Sequence, residues 1–354
     1  MTHPISVILS LPTRLFRALT ARMQRHRASA LAFIVCWQLC WPMAARLWAA
    51  TSGQIVEGPT PPLAATNEAA TVEQEFRKLM EADDDAQGEV DKWIQDNQQF
   101  TAKGAGIPAE QLNRRIRERF EPIRKGYEDF LRRHPDHARA RVAYASFLGD
   151  LQDEDGARLQ LEKALTLETN NPAIYNNLAE ICAHSGPVKK AFEYYDKAIQ
   201  LKPDESLYPH NLGNVVYLFR NDAKEYYSLN DEQLVQKVFC LYSNAMRLDP
   251  ENFLLASDIA QTYYGLTPLR VNDALRAWTN ALHLARDDIE REGVYLHFAR
   301  INITAGRLAE ARARLNAVTN QMYAELKQRL TRNLDLKANP PKATNAPVLA
   351  APPK

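Results

Sequence analysis

Between residues 72 and 337 the apolar positions recur three and four apart, and no run of β-branched residues alternates with polar ones as a half-buried strand would. That spacing predicts helices nearly throughout. Laying the chain on itself uncovers a period of 34 residues, in which Ala145, Ala157 and Ala164 of the block 138–171 align with Ala179, Ala191 and Ala198 of the block 172–205. Leu178 and Cys182 fall on one helix face, and Ala179 beside them is small enough for a second helix to approach closely. Ala191, Tyr195 and Ala198 form the matching face of that second helix. Gly186 lets the chain turn between the two, and Pro203 stops the second before a new pair begins.

Further copies keep the pattern with changes. Block 138–171 holds Tyr144, Ala145, Leu148, Ala157, Leu161 and Ala164, with Thr169 where the closing Pro is expected. Block 206–252 holds Leu212, Gly213, Val216, Val238, Tyr242, Ala245 and Pro250, and its 47 residues are 13 more than the period. The excess lies between Tyr217 and Glu232 and includes Phe219, Arg220, Tyr226 and Tyr227, residue types that dominate binding hot spots and that equally pack on neighbouring helices. Blocks 253–291 and 292–325 supply Ile259, Ala260, Tyr263, Ala274, Trp278 and Ala281, then Phe298, Ala299, Gly306, Ala311, Leu315 and Val318.

With Tyr175, Leu178, Ala179 and Cys182, then Ala191 and Tyr195, then Pro203, the chain resembles the tetratricopeptide repeat, whose pattern is W-x2-L-G-x2-Y, A-x3-F and P. Five copies cover 138–325. The resemblance implies an all-α solenoid, a right-handed superhelix of helix pairs. Residues 72–137 are expected to form a helical N-terminal region that serves as a degenerate repeat or cap, its helices broken near Pro122. Met322 to Leu336 is expected to be a capping helix with a polar outer face, its end at 326–337.

The resemblance also implies a concave groove, lined by the first helix of each repeat, that binds an extended peptide or a partner protein. The residues it would present are Asn176, Asn177, Glu180 and His184 from the second repeat, and His210, Asn211, Asn214 and Tyr217 from the third. The fourth gives Ser257, Asp258, Gln261 and Tyr264, and the fifth His297 and Arg300. An amide side chain both donates to and accepts from a peptide backbone, so Asn177 and Asn211 suit a ligand held independently of its sequence. Some family members hold a C-terminal carboxylate with a clamp of Lys, Arg and Asn. This surface has Asn177 but lacks the lysines.

The flanks differ in composition. Residues 51–71 carry Pro59, Pro61 and Pro62 among Ala, Gly and Thr and read as a flexible linker, and 338–354, with five Pro, read as a disordered tail. Residues 1–50 hold six Arg and no acid: five Arg precede a run of 18 uncharged residues from Ala28 to Ala45, Arg46 follows it, and small residues stand at Ala44, Ala45, Ala49 and Ala50. Those are the parts of a signal peptide, and the alternative is an uncleaved membrane anchor, against which Gln38 and Pro42 count. Initiation at Met23 instead of Met1 would give a basic flank of conventional length. Either reading places the body outside the cytoplasm, periplasmic or secreted, or anchored in the inner membrane with membrane contact through that segment alone. A cytoplasmic adaptor with a misread N-terminus is the competing placement.

The overall charge of +1 conceals a body that carries −5 beyond residue 50, which argues against a nucleic-acid partner. No P-loop, H-E-x-x-H, G-x-S-x-G or true G-x-G-x-x-G occurs, and Gly104, Gly106 and Ala109 only imitate the last in a loop. No cofactor is expected. Asp153, Asp155, Gly156 and Glu162 imitate a calcium loop but begin on Leu151 and sit at a helix turn, and His134 and His137 flank a connector. Asn302-Ile303-Thr304 is a glycosylation sequon inside an expected helix. The expectation is a non-enzymatic interaction scaffold. The alternative is a helical enzyme, or enzyme subunit, with a site in 72–137, where Glu81, Asp83, Asp84 and Asp85 cluster. Cys182 and Cys240, the two cysteines of the body, do not describe a disulfide scaffold.

Overall fold

The computed structural model describes residues 67–102 and 104–340, and every regular element in them is helical. The leader, most of the linker and the tail beyond residue 340 lie outside the described residues. Among the described residues no helix is long and apolar enough to cross a membrane. The described chain divides after Leu248 into two compact units.

The first unit holds α1 (Asn67–Ala102), α2 (Ala109–Arg133), α3 (Ala138–Asp150), α4 (Glu154–Leu167), α5 (Pro172–Ser185), α6 (Val188–Leu201), α7 (Leu207–Leu218), α8 (Arg220–Tyr227) and α9 (Asp231–Leu248). Its antiparallel neighbours pair as α1 with α2, α3 with α4, α5 with α6 and α7 with α9. Local chemistry sets the starts. The His137 side chain accepts from the Ala140 amide, Asp153 from Gly156 and Asn171 from Ala173, each satisfying an amide that the first helical turn leaves free. Asp153 is therefore a helix cap. Asn97 holds the α1–α2 connection, accepting from the Ile107 amide at 2.8 Å, and Gly104 there adopts a positive φ of 79°.

Small residues lie where paired helices cross. Ala164, Ala179, Ala191 and Ala198 are fully buried, with Phe147, Leu161, Ile174, Leu178, Phe192 and Tyr195 sealing the layers around them. At Gly213 an added Cβ would stand 2.7 Å from Tyr242 Cε1, so the ring of α9 itself sets the residue on α7.

Two expectations change here, and the insertion takes one of its two readings. The segment from Asn67 to Thr71 belongs to α1 and not to the linker. Pro122 does not break a helix: α2 runs through it, and the residue is exposed, where the carbonyl one turn back meets water. The insertion of the third repeat contains a helix of its own, α8, which packs on α6, α7 and α9. Tyr226 and Tyr227 rest against Phe192, with ring centroids at 5.4 and 5.5 Å, and Tyr227 donates to Asp196 Oδ2 at 2.9 Å. Lys237 Nζ stands 3.8 Å over the Tyr227 ring.

The second unit holds α10 (Phe253–Thr262), α11 (Val271–Leu284), α12 (Asp288–Ala305), α13 (Leu308–Asn316) and α14 (Ala324–Ala338), with a short 3-10 turn before α11 and another before α14. α10 pairs with α11 and α12 with α13, and α14 covers α12 and α13. Asn252 caps α10, Asp287 caps α12, and Gly306 ends α12 in the left-handed conformation at φ 79°. Glu292 accepts from the Thr319 and Asn320 amides and the Thr319 hydroxyl, fixing the chain into the last helix. Lys337 Nζ returns to the Ile303 and Thr304 carbonyls at the end of α12. Asn302 is buried within α12. Cys182 and Cys240 are both free thiols, the first buried and the second exposed.

Candidate functional site

In the first unit the candidate face runs along α5 and α7, the first helices of two consecutive pairs. Leu178, Ala179 and Cys182 turn inward from α5, which leaves Asn176, Asn177, Glu180 and His184 on the adjoining stripe. The two helices are joined across that stripe. Asn211 Nδ2, from α7, donates to Asn176 Oδ1 at 3.0 Å and to Glu180 Oε1 at 3.1 Å. Asn176 Nδ2 donates in turn to Glu180 Oε1 at 3.0 Å and to Asn177 Oδ1 at 3.2 Å. Asn177 Nδ2 donates to none of the described residues, so that amide keeps a free donor on a half-exposed side chain.

Burial pushes the Glu180 carboxyl up to about 7, against the Asn176 hydrogen bond that favours its charge. His184 Nδ1 pairs with Glu154 Oε1 on α4. Further along α7, Asn214 Nδ2 lies 3.2 Å from His210 Nε2, and the Tyr242 hydroxyl of α9 donates to Asn214 Oδ1 at 2.7 Å. Tyr217 is half-buried, with the Arg220 guanidinium 4.9 Å from its ring centroid. Asn176 and His210 are themselves buried, so they brace this face, and Asn177, Glu180, Asn211 and Tyr217 lie half-buried along its edge.

The second unit gathers its candidates differently. Ser257 is buried on α10, Asp258 and Gln261 are half-buried beside it, and Tyr264 sits in the turn that follows. The Tyr264 hydroxyl meets His297 Nδ1 at 3.1 Å, and the His297 ring stacks on Trp278 of α11 at 3.9 Å between centroids and 10° between planes. Burial, and then the charge of Arg300, lowers His297 to about 3, so its imidazole is neutral at physiological pH. Arg300 is half-buried, its Cζ 4.4 Å over the Tyr264 ring. Among the described residues nothing bonds Ser257 Oγ, Trp278 Nε1 or Arg300 Nη1.

In the 72–137 region, Glu81, Asp84 and Asp85 are exposed and only Asp83 turns inward. It accepts from the Tyr127 hydroxyl of α2 at 2.7 Å and from Gln87 at 3.0 Å. Burial, then the charges of Asp83 and Asp91, pushes Asp150 at the end of α3 up to about 7. Among the described residues no three His, Cys, Asp or Glu side chains come together as a metal site. The cluster acts on stability. The folded state holds the Asp150 proton to a higher pH than the unfolded chain does, so stability is full in acid and declines as pH rises toward about 7, with Glu180 contributing in the same direction. Asp150 and Glu180 are expected to lower the melting temperature of the first unit from mildly acidic to mildly alkaline buffer, while His297 of the second unit, lowered to about 3, acts in the opposite direction below its ordinary value. Asp150→Asn is expected to flatten that slope and to raise the alkaline melting temperature, which a pH series of thermal melts measures.

Some of these features carry no signal in one sequence. The partnership of Asn176, Glu180 and Asn211 joins residues more than 30 positions apart, as does that of His297 with Tyr264. The Trp278–His297 stack is similar, for Trp278 reads from its spacing only as a second-helix core residue.

Residues 172–205 match the family model of the tetratricopeptide repeat. Among solved structures the chain is similar to PilF of Pseudomonas aeruginosa, at 15% identity over 72% of this chain and 98% of that one, with a TM-score of 0.46. It is similar to PilW, described as a widely conserved type IV pilus biogenesis factor, at 14% identity over 70% of this chain and 96% of that one, with a TM-score of 0.47. It is also similar to YrrB, described as a tetratricopeptide-repeat protein with an unusual peptide-binding site, at 13% identity over 58% of this chain and 97% of that one, with a TM-score of 0.42. No curated protein matches the sequence. One tetratricopeptide repeat is thus matched at 172–205, and the described part of the chain is an all-helical array of helix pairs that resembles such repeats.

Proposed function

We propose that the chain is a non-enzymatic interaction scaffold that holds a peptide or a segment of a partner protein along its first-helix faces. The observation that carries this reading is the braced amide row of α5 and α7. There Asn176 and Asn211 are locked to one another and to Glu180, while Asn177 keeps an unbonded donor beside them. Ordered amides on rigid helices offer hydrogen bonds to an extended backbone with little side-chain entropy left to lose. Peptides selected from a random displayed library on the full chain supply the test. Asn177→Ala and Asn211→Ala are expected to weaken them by about 2 kcal/mol for at least one position, with helicity and melting nearly unchanged for Asn177→Ala. Glu193→Ala and Lys197→Ala, on the second helix α6, are expected to leave affinity intact. The reverse pattern refutes the reading.

The placement that fits the leader is the cell envelope, with the body exported or tethered by the Arg-flanked apolar segment. A reporter active only outside the cytoplasm, fused after residue 51, tests that placement: its silence at normal expression contradicts export.

A further inference from the structure

Glu180 is bonded on one side only. Both amide donors, Asn176 Nδ2 and Asn211 Nδ2, converge on Oε1. Oε2 accepts from none of the described residues, yet it is not sealed from solvent. The carboxyl is thus fixed in orientation by two helices, with its second oxygen unbonded and still reached by solvent.

No Lys, Arg or His of the described residues pairs with it. Burial dominates its surroundings, and among the described residues the amides of Asn176 and Asn211 supply its hydrogen bonds without a counter-charge. A carboxylate withdrawn from water and left without a counter-charge is costly, and the cost is relieved when a cation with N–H donors reaches the unbonded oxygen. A carboxylate or phosphate would be repelled there, and an apolar side chain would leave Oε2 without a donor. The row beside it supplies the rest of a docking path, since Asn177 offers a free donor one turn away on the same helix.

We propose that Glu180 receives one basic side chain, a lysine or an arginine, from the peptide that lies along α5 and α7. This rests on the reading of that face as peptide-binding, and the test separates the two. The probes are three capped peptides of alanine with a single central lysine, arginine or norleucine, titrated into the full chain above neutral pH. The readout is the side-chain amide resonances of Asn176, Asn177 and Asn211. The lysine and arginine peptides are expected to shift all three and to bind about tenfold or more tightly than the norleucine peptide.

Glu180→Gln keeps an acceptor for both amides and removes the charge. It is expected to erase that preference, so that the three peptides bind alike. A melt of the variant at the parent temperature shows that the fold is retained, and Glu180→Asp is expected to restore part of the preference. Equal binding of the three peptides, or a preference that survives Glu180→Gln, overturns the basic subsite while leaving the peptide-binding face in place. Absence of any shift at the three amides with millimolar peptide overturns both.

Discussion

Trp278→Ala is expected to destabilise the second unit more than any other single truncation, by about 3 to 5 kcal/mol. The indole is 1% exposed, sits between Ala274 and Ala281 on the face α11 turns to its neighbours, and stacks on His297 of α12. Its removal leaves a large cavity and uncovers one side of the imidazole to which Tyr264 bonds. Because the indole N–H has no partner among the described residues, Trp278→Phe is expected to lose much less, since it keeps a ring while discarding an unsatisfied donor. Urea unfolding followed by circular dichroism measures both. Equal losses for the two variants would mean that the indole nitrogen is bonded in solution.

Ala179→Leu is expected to cost about 1 to 3 kcal/mol by overpacking. Ala179 is fully buried between α5 and α6, whose close approach leaves no room for three further carbons. The next repeat shows how tight this register is. Gly213 takes the corresponding place on α7, where even one carbon would come within 2.7 Å of the Tyr242 ring. Tyr242 is held there by its hydroxyl on Asn214, so the ring cannot swing away without breaking that bond. Unchanged melting of Ala179→Leu would mean that the helices cross elsewhere.

The helix pairs were legible because their cause is local and repeated. Ala145, Ala179, Ala260 and Ala299 recur where a second helix must come close, and all four are buried. The ends of elements were less legible. Asn67 to Thr71 shares the composition of the linker, and its helical state comes from continuation into α1, a cooperative effect that composition does not register. Pro122 reads as a stop, yet the exposed side of a long amphipathic helix tolerates it.

Depth was least legible of all. Spacing placed Asn176 and Asn177, or His210 and Asn211, on a common stripe. Which member of each couple faces solvent depends on the helix packed beside it. Asn176 and His210 are buried while Asn177 and Asn211 are half-exposed, and His297, expected at a surface, lies under Tyr264 against Trp278. Aromatic residues in the insertion offered two readings, a binding loop or a packed helix. Tyr226 and Tyr227 rest on Phe192, which favours packing.

Deuterium exchange of the full chain with and without a selected peptide tests the central claim most directly, because it reports where the peptide lies without prior choice of a residue. Slowed exchange in α5 and α7, the helices that carry Asn177, Glu180 and Asn211, is the predicted result. Protection confined to α6 and α8, with α5 and α7 unchanged, would contradict it.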